Sequence, residues 1–497
     1  MKKKLLGIFT SIMLTALCAF GMIGCNNDDG NSNGNDVFII EGTTVTGLTE
    51  YGKSLSEIVV PETVTAIGDS AFVGASATKI VLSSSLNVIG DDVFDGLSLE
   101  YNVKDGVKYL GNSDNDYFYL ASVVSTEIES VTIDENCKII GHAAFSLCKN
   151  LESVTIPNSV ETIGNSAFFK NEKLTSANIG TGVTKIGNQV FFECEKLSTV
   201  NVPAGVTEIG YYAFKNCAIE SITLPDGLTE ISDSLFYGCS KLNSVNIPAN
   251  VTSIGSGAFY ECSALTELSL PANVTKIGNS AFAGCALLSS VNVPAGVTVI
   301  DNATFYGCSS LVSLELPNQL TTIKDYAFSS CSKLSGLEIP DTVNKMGANV
   351  FNECAALSFT ISNGVKYIGN DANNHLWAIE VIADSKKGAT SITLNENCKG
   401  IASSTIINCE KLTSIVIPSS ISWICDRNLG GCAKLEKIYF CGTETAWETI
   451  GYETEITVYY FSELEPALNA EQTAYNGDFW HYGENKEIIE WIYVVEE

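Results

Sequence analysis

Residues 242–247 set Leu242, Val245 and Ile247 among polar Asn243, Ser244 and Asn246, and Pro248 ends the run because it has no N–H to donate. This pattern predicts a short amphipathic extended segment. Val251 and Ile254 predict a second one, Gly255 a turn, and Ala258, Phe259 and Cys262 a tight turn or a single helical turn. The same order of apolar, polar and punctuating residues returns in 264–285 and 287–308. Its clearest marker is a Phe at 145, 168, 191, 214, 236, 259, 282, 305, 328 and 351, each step being 23 residues apart from one of 22 between Phe214 and Phe236. A fixed period of this size is the signature of a solenoid, one short supersecondary unit stacked many times. A single ring cannot enclose its own apolar side chains. They become buried only when like rings lie above and below, at about the 4.8 Å spacing of neighbouring strands.

The repeated pattern L-x-x-V-x-I-P-x-x-V-T-x-I-G-x-x-A-F-x-x-C resembles the BspA-like leucine-rich repeat of bacterial surface proteins. The resemblance covers most of the chain. It implies a right-handed leucine-rich-repeat superhelix of short β-strands with short helical turns, and a role in adhesion or ligand binding. It carries over no catalytic residues and no cofactor.

Punctuation of the pattern divides the chain. Residues 1–24 read as a lipoprotein signal peptide, with Lys2, Lys3 and Lys4 ahead of an apolar run. Met22-Ile23-Gly24-Cys25 resembles a bacterial lipobox, which makes Cys25 the expected lipidation site. Residues 25–36 form a polar tether, 37–60 an N-terminal cap and 61–440 the solenoid. The solenoid is interrupted near 99–130 and 357–391 by segments that match each other: GVKYLGN at 106–112 answers GVKYIGN at 364–370, and ENCKIIG at 135–141 answers ENCKGIA at 396–402. Residues 441–497 are rich in aromatics and predict a C-terminal cap.

Charge and chemistry narrow the functions. Asp and Glu number 57 against 28 Lys and Arg, a net charge of −29, which repels nucleic acid and anionic lipid headgroups. Eleven cysteines (148, 194, 217, 239, 262, 285, 308, 331, 354, 409 and 432) occupy one repeat position. Stacked rungs hold their Cβ vectors parallel, farther apart than the ~3.8 Å of a disulfide, so the column reads as buried reduced thiols. A linear column makes no tetrahedral metal site. His142, His375 and His481 are scattered, and His142 reads as a tolerated surface residue in a turn. No catalytic motif is present, and the chain reads as a non-enzyme.

The expected function is that of an exported, lipid-anchored cell-surface protein that binds a macromolecule, protein or polysaccharide, of a host or bacterial surface. A carbohydrate-binding surface protein and a structural envelope component are the alternatives. Inward positions barely change from rung to rung, while Lys185, Glu208, Glu230, Ser253 and Lys276 differ at one outward position and are the candidate ligand-facing residues. Trp377, in the second interruption, is a further candidate for partner contact, and Trp480 and Trp491 are candidates for sugar stacking.

Overall fold

The computed structural model describes residues 36–467, 474–475, 477–483 and 486–492. The chain is a β-solenoid of about 19 turns. Each regular rung carries two short strands, such as Ser153–Thr155 and Thr162–Ile163, and each pairs in parallel with its counterpart in the next rung, Ser153 opposite Ser176 and Thr162 opposite Lys185. The rungs before the first island and after the second pack into cores of their own, and the Leu, Val and Ile side chains of the central rungs point inward and share one core. The ten marker Phe rings run down it, nine of them fully buried, and stack on one another at centroid distances of 5.0 Å (Phe145–Phe168) to 5.8 Å (Phe328–Phe351). Burying each such ring stabilises the stack by about 1.5–3 kcal/mol.

Of the two turns the sequence allows around the Phe, the structure has the tight turn and not the helical one. Residues two before and two after the Phe adopt left-handed backbone, as Ser166 (φ 56°) and Lys170 (φ 54°) do around Phe168. This alternation points every second N–H at the next rung: Ser166 N donates to Asn188 O, Phe168 N to Val190 O and Lys170 N to Phe192 O, at 2.8–2.9 Å. The turn thus becomes a third inter-rung ladder, and a helix would have turned those donors inward on itself.

The Gly that closes the second strand serves close approach, not positive φ. A Cβ on Gly187 would lie 2.6 Å from the Asn165 side-chain oxygen and 2.8 Å from its backbone N, and the freed space lets Asn165 Oδ1 accept from Asn188 N at 2.7 Å. The rungs lacking this Gly compensate by polar contacts: Ser232 donates to Ile209 O, and Lys324 meets Asp301 at 3.0 Å. The Cys column is also more than packing. Cys194, Cys217, Cys239 and Cys262 each donate a thiol hydrogen bond to the Phe carbonyl of the preceding rung, at 3.0–3.2 Å. Burial pushes the Cys194, Cys239 and Cys285 thiols up to about 12, which suppresses thiolate chemistry. The cysteines among the described residues are unpaired.

Each interruption is a three-stranded island. In the first, Asn102–Lys104, Val107–Leu110 and Tyr119–Val123 are antiparallel, and Tyr119–Val123 then rejoins the solenoid by pairing in parallel with Ile139–Ile140. In the second, Thr360–Ser362, Val365–Ile368 and Trp377–Val381 repeat this plan, followed by a short helix, Ala383–Gly388. At the ends, the hairpin Phe38–Glu41/Thr44–Leu48 and the helix Glu50–Ser54 lie against the first rungs. Strands Thr457–Phe461, Phe479–Tyr482 and Ile488–Glu490 extend the last sheet.

Candidate functional site

The outward strand position is only partly free. Lys185 and Glu208 face each other in register and form a 3.0 Å ion pair, with side chains 39% and 58% exposed. Glu230 and Lys276 are exposed, and Ser253 between them is half-buried. Similar cross-rung pairs join Lys138 to Glu161, Lys149 to Glu172 and Lys170 to Glu193. Pairs this exposed stabilise by at most about 1 kcal/mol each, so they remain available for exchange with a partner. The neighbouring Thr column is engaged: Thr184, Thr252 and Thr321 hydroxyls donate to the carbonyl of the rung before, at 3.1–3.2 Å.

Two aromatic candidates are displaced by the structure. Trp377 is 1% exposed, so it cannot meet a partner. Its ring fills the space over Gly400, where a Cβ would lie 2.5 Å from it; the first island has Tyr119 and Ile139 at these places. Trp480 is fully buried, donates its indole N–H to Phe440 O at 3.0 Å and packs on Tyr439, Phe461 and Tyr482. It anchors the last sheet and offers no face to a sugar. Trp491 is half-buried, bonded to Ser462 O at 3.0 Å, with His481 against its ring at 4.5 Å. Cys25 lies outside the described residues.

The open surface lies elsewhere. Both strand ladders break together between the rung of 199–201 and 208–209 and that of 221–223 and 230–231. This boundary is the single 22-residue step, where Ala218 alone separates Cys217 from Ile219. A shallow groove of about 620 Å³ follows the first of these strand faces, floored by Val200, Ile222 and Val245 and rimmed by Asn201, Ser221 and Ser244. The marker for it in the sequence was the missing residue.

Histidine 142 is not a loose surface residue either. It sits at the joint between the rungs before and after the first island, with Nδ1 2.9 Å from Asp91 and Nε2 3.6 Å from Asp92. Asn165 closes the same joint, donating to both Asp91 carboxylate oxygens at 2.9–3.0 Å. The Asp91 carboxylate, 2.9 Å from Nδ1, raises the His142 pKa above the ordinary imidazole value, with burial partly opposing it. Burial pushes the Asp91 carboxyl up, but the adjacent His142 imidazole and the Asn165 hydrogen bonds outweigh it and hold the pKa low.

Stacked parallel strands, a buried Phe column and turns of fixed length define a repeat scaffold of the leucine-rich type, with an outer surface free to vary. The BspA type leucine rich repeat region matches residues 50–168, 118–243, 168–288, 252–380 and 358–461, and the chain belongs to this family. No curated protein matches it. Among solved structures it is similar to a leucine rich cell surface protein of Faecalibacterium prausnitzii, at 24% identity over 72% of this chain and 99% of that one, with a TM-score of 0.43. It is also similar to a leucine-rich repeat protein of Bacteroides ovatus, at 22% identity over 73% and 98%, with a TM-score of 0.44.

Proposed function

We propose that this protein is an exported, lipid-anchored, non-enzymatic surface scaffold that adheres to a macromolecule of a host or bacterial surface, protein or polysaccharide, through the outer strand face of the solenoid. The observation that carries this reading is the contrast between the two sides of each strand. Inward apolar side chains are buried in the core, whereas outward positions of the second strands keep exposed, varied charges and the first strands carry an open groove across three rungs. A shallow, extended groove suits a chain-like partner; a small metabolite needs a concave pocket with convergent polar groups. The acidic balance favours a partner with basic patches, whose attraction salt would screen.

Replacing Lys185, Glu208, Glu230 and Lys276 with Ser leaves every inward residue intact. Adhesion of whole cells to matrix and to other bacteria should fall, and parental adhesion by the folded variant sinks this reading of the face. Cys25→Ser should move the protein out of the membrane fraction. Retention there would remove the lipid anchor from the proposal and leave the binding face untouched.

A further inference from the structure

The two islands are copies of one device, and the joints behind them differ in one respect. At the first joint the His142 imidazole fills the space beside the preceding rung and pairs with Asp91 and Asp92. Aligning GDDVF at 90–94 with GANVF at 347–351, and GHAAF at 141–145 with ASSTI at 402–406, sets Ala348 and Asn349 at the Asp places and Ser403 at the His place. These exchanges remove the imidazole plug and its two carboxylate partners. A cleft of about 150 Å³ lies there, bounded by the rung of Met346–Glu353, the second island and Ser403.

Its lining has two characters. Phe351, Phe359, Ile379 and Ile407 provide an apolar wall, while Asn349, Asn352, Ser403, Ser404 and Lys386 are polar. Of the acidic groups at the cleft, Glu380 is paired with Lys366 at 2.7 Å, and Glu353 accepts from the Ser330 hydroxyl at 2.8 Å and keeps its charge. Lys386, on the short helix Ala383–Gly388, has no carboxylate partner among the described residues. That helix follows the second island, in a stretch three residues longer than in the first copy (33 residues from Gly364 to Glu396 against 30 from Gly106 to Glu135). The unpaired ammonium is therefore an addition of this copy.

We propose that this cleft is a binding site for a small carboxylate-bearing ligand with a flat apolar body, the carboxylate on Lys386 and the body between Phe359 and Ile379. The size fits one ring, since a cavity of roughly 150 Å³ accepts benzene and drug-sized ligands need about 300 Å³ or more; here the apolar wall forms one side and polar groups the other. A cation beside an apolar wall selects an anion attached to an apolar group, and bulk water competes less well for a carboxylate so placed. The site is distinct from the outer strand face and goes beyond the adhesive role.

The test uses the full chain and three probes of one shape, benzoate, benzamide and benzylamine, with binding read by ligand-observed NMR. Benzoate should bind at least tenfold more tightly than the other two. Lys386→Ala should lower its affinity about tenfold with the thermal midpoint unchanged. Ser403→His, which restores the side chain of the first joint, should abolish binding. Preference for benzylamine, benzoate affinity unchanged in Lys386→Ala, or no benzoate binding to the parent would each overturn the proposal. Lys386→Ala keeps the test decisive even if Ser403→His disturbs the joint, because Lys386 is half-exposed on a surface helix.

Discussion

Phe259→Ala probes the Phe column most directly. The Phe259 ring is fully buried and stacked between Phe236 at 5.5 Å and Phe282 at 5.7 Å. Removing it forfeits about 1.5–3 kcal/mol of burial. Two aromatic contacts of about 0.5–1.5 kcal/mol each are lost with it. The total, roughly 2.5–6 kcal/mol, brackets the about 3–5 kcal/mol typical of buried Phe→Ala changes. Because a rung contacts only its neighbours, the loss should first appear locally. Amide exchange is the appropriate assay: Phe236 N, bonded to Ala258 O, and Phe259 N, bonded to Ala281 O, both at 2.8 Å, should lose protection equivalent to about 3–5 kcal/mol. The amides of Phe145 and Phe168, several rungs away, should change little. Refutation would be a loss below about 1 kcal/mol, or a uniform loss along the whole stack, since either breaks the link between ring burial and nearest-neighbour stability.

Cys262→Ala should cost roughly 1–3 kcal/mol, because it empties a buried site and leaves the Phe236 carbonyl without its thiol donor; urea unfolding of the two chains measures it. A thiol count on denatured, unreduced protein should recover the column cysteines as free thiols, and a count near zero contradicts the hydrogen-bonded column. The raised His142 pKa makes its contribution to the first joint complete below about pH 6.5 and lost as pH rises through the folded value, whereas that of Asp91, with its lowered pKa, is lost only as pH falls through the acid range. The unfolding midpoint of the N-terminal rungs should therefore fall by the His142 contribution as pH rises above about 6.5, and His142→Ala should flatten that slope. Gly400→Ile, the residue of the first copy, should destabilise the second island by about 1–3 kcal/mol through collision with Trp377, and Trp377→Tyr should recover part of it in a double-mutant cycle of thermal midpoints.

What the sequence determined by itself was the stacking. A 23-residue period that keeps Leu, Val, Ile, Phe and Cys in fixed places has one way to bury them, and the burial is nearly complete. The duplicated islands were also legible, since GVKYLGN and GVKYIGN are near-identical strings at strands Val107–Leu110 and Val365–Ile368. Local sequence could not say which way an aromatic in an irregular segment points. Trp377 and Trp480 could be read from sequence either as packing groups or as contact platforms; in the structure each fills a gap made by residues distant in the chain, Gly400 for one and Tyr439 with Phe461 for the other. The left-handed turn residues were equally hidden, because Ser166, Lys170 and Gln189 have no local reason to adopt positive φ. They do so because the next rung supplies acceptors at the strand spacing, a gain that exists only once two rungs are stacked. The joints followed the same rule: His142 meets Asp91 and Lys386 borders the 346–353 rung only because the islands bring separated rungs together. Periodicity fixes contacts between equivalent positions, and contacts between non-equivalent positions are decided by the three-dimensional packing alone.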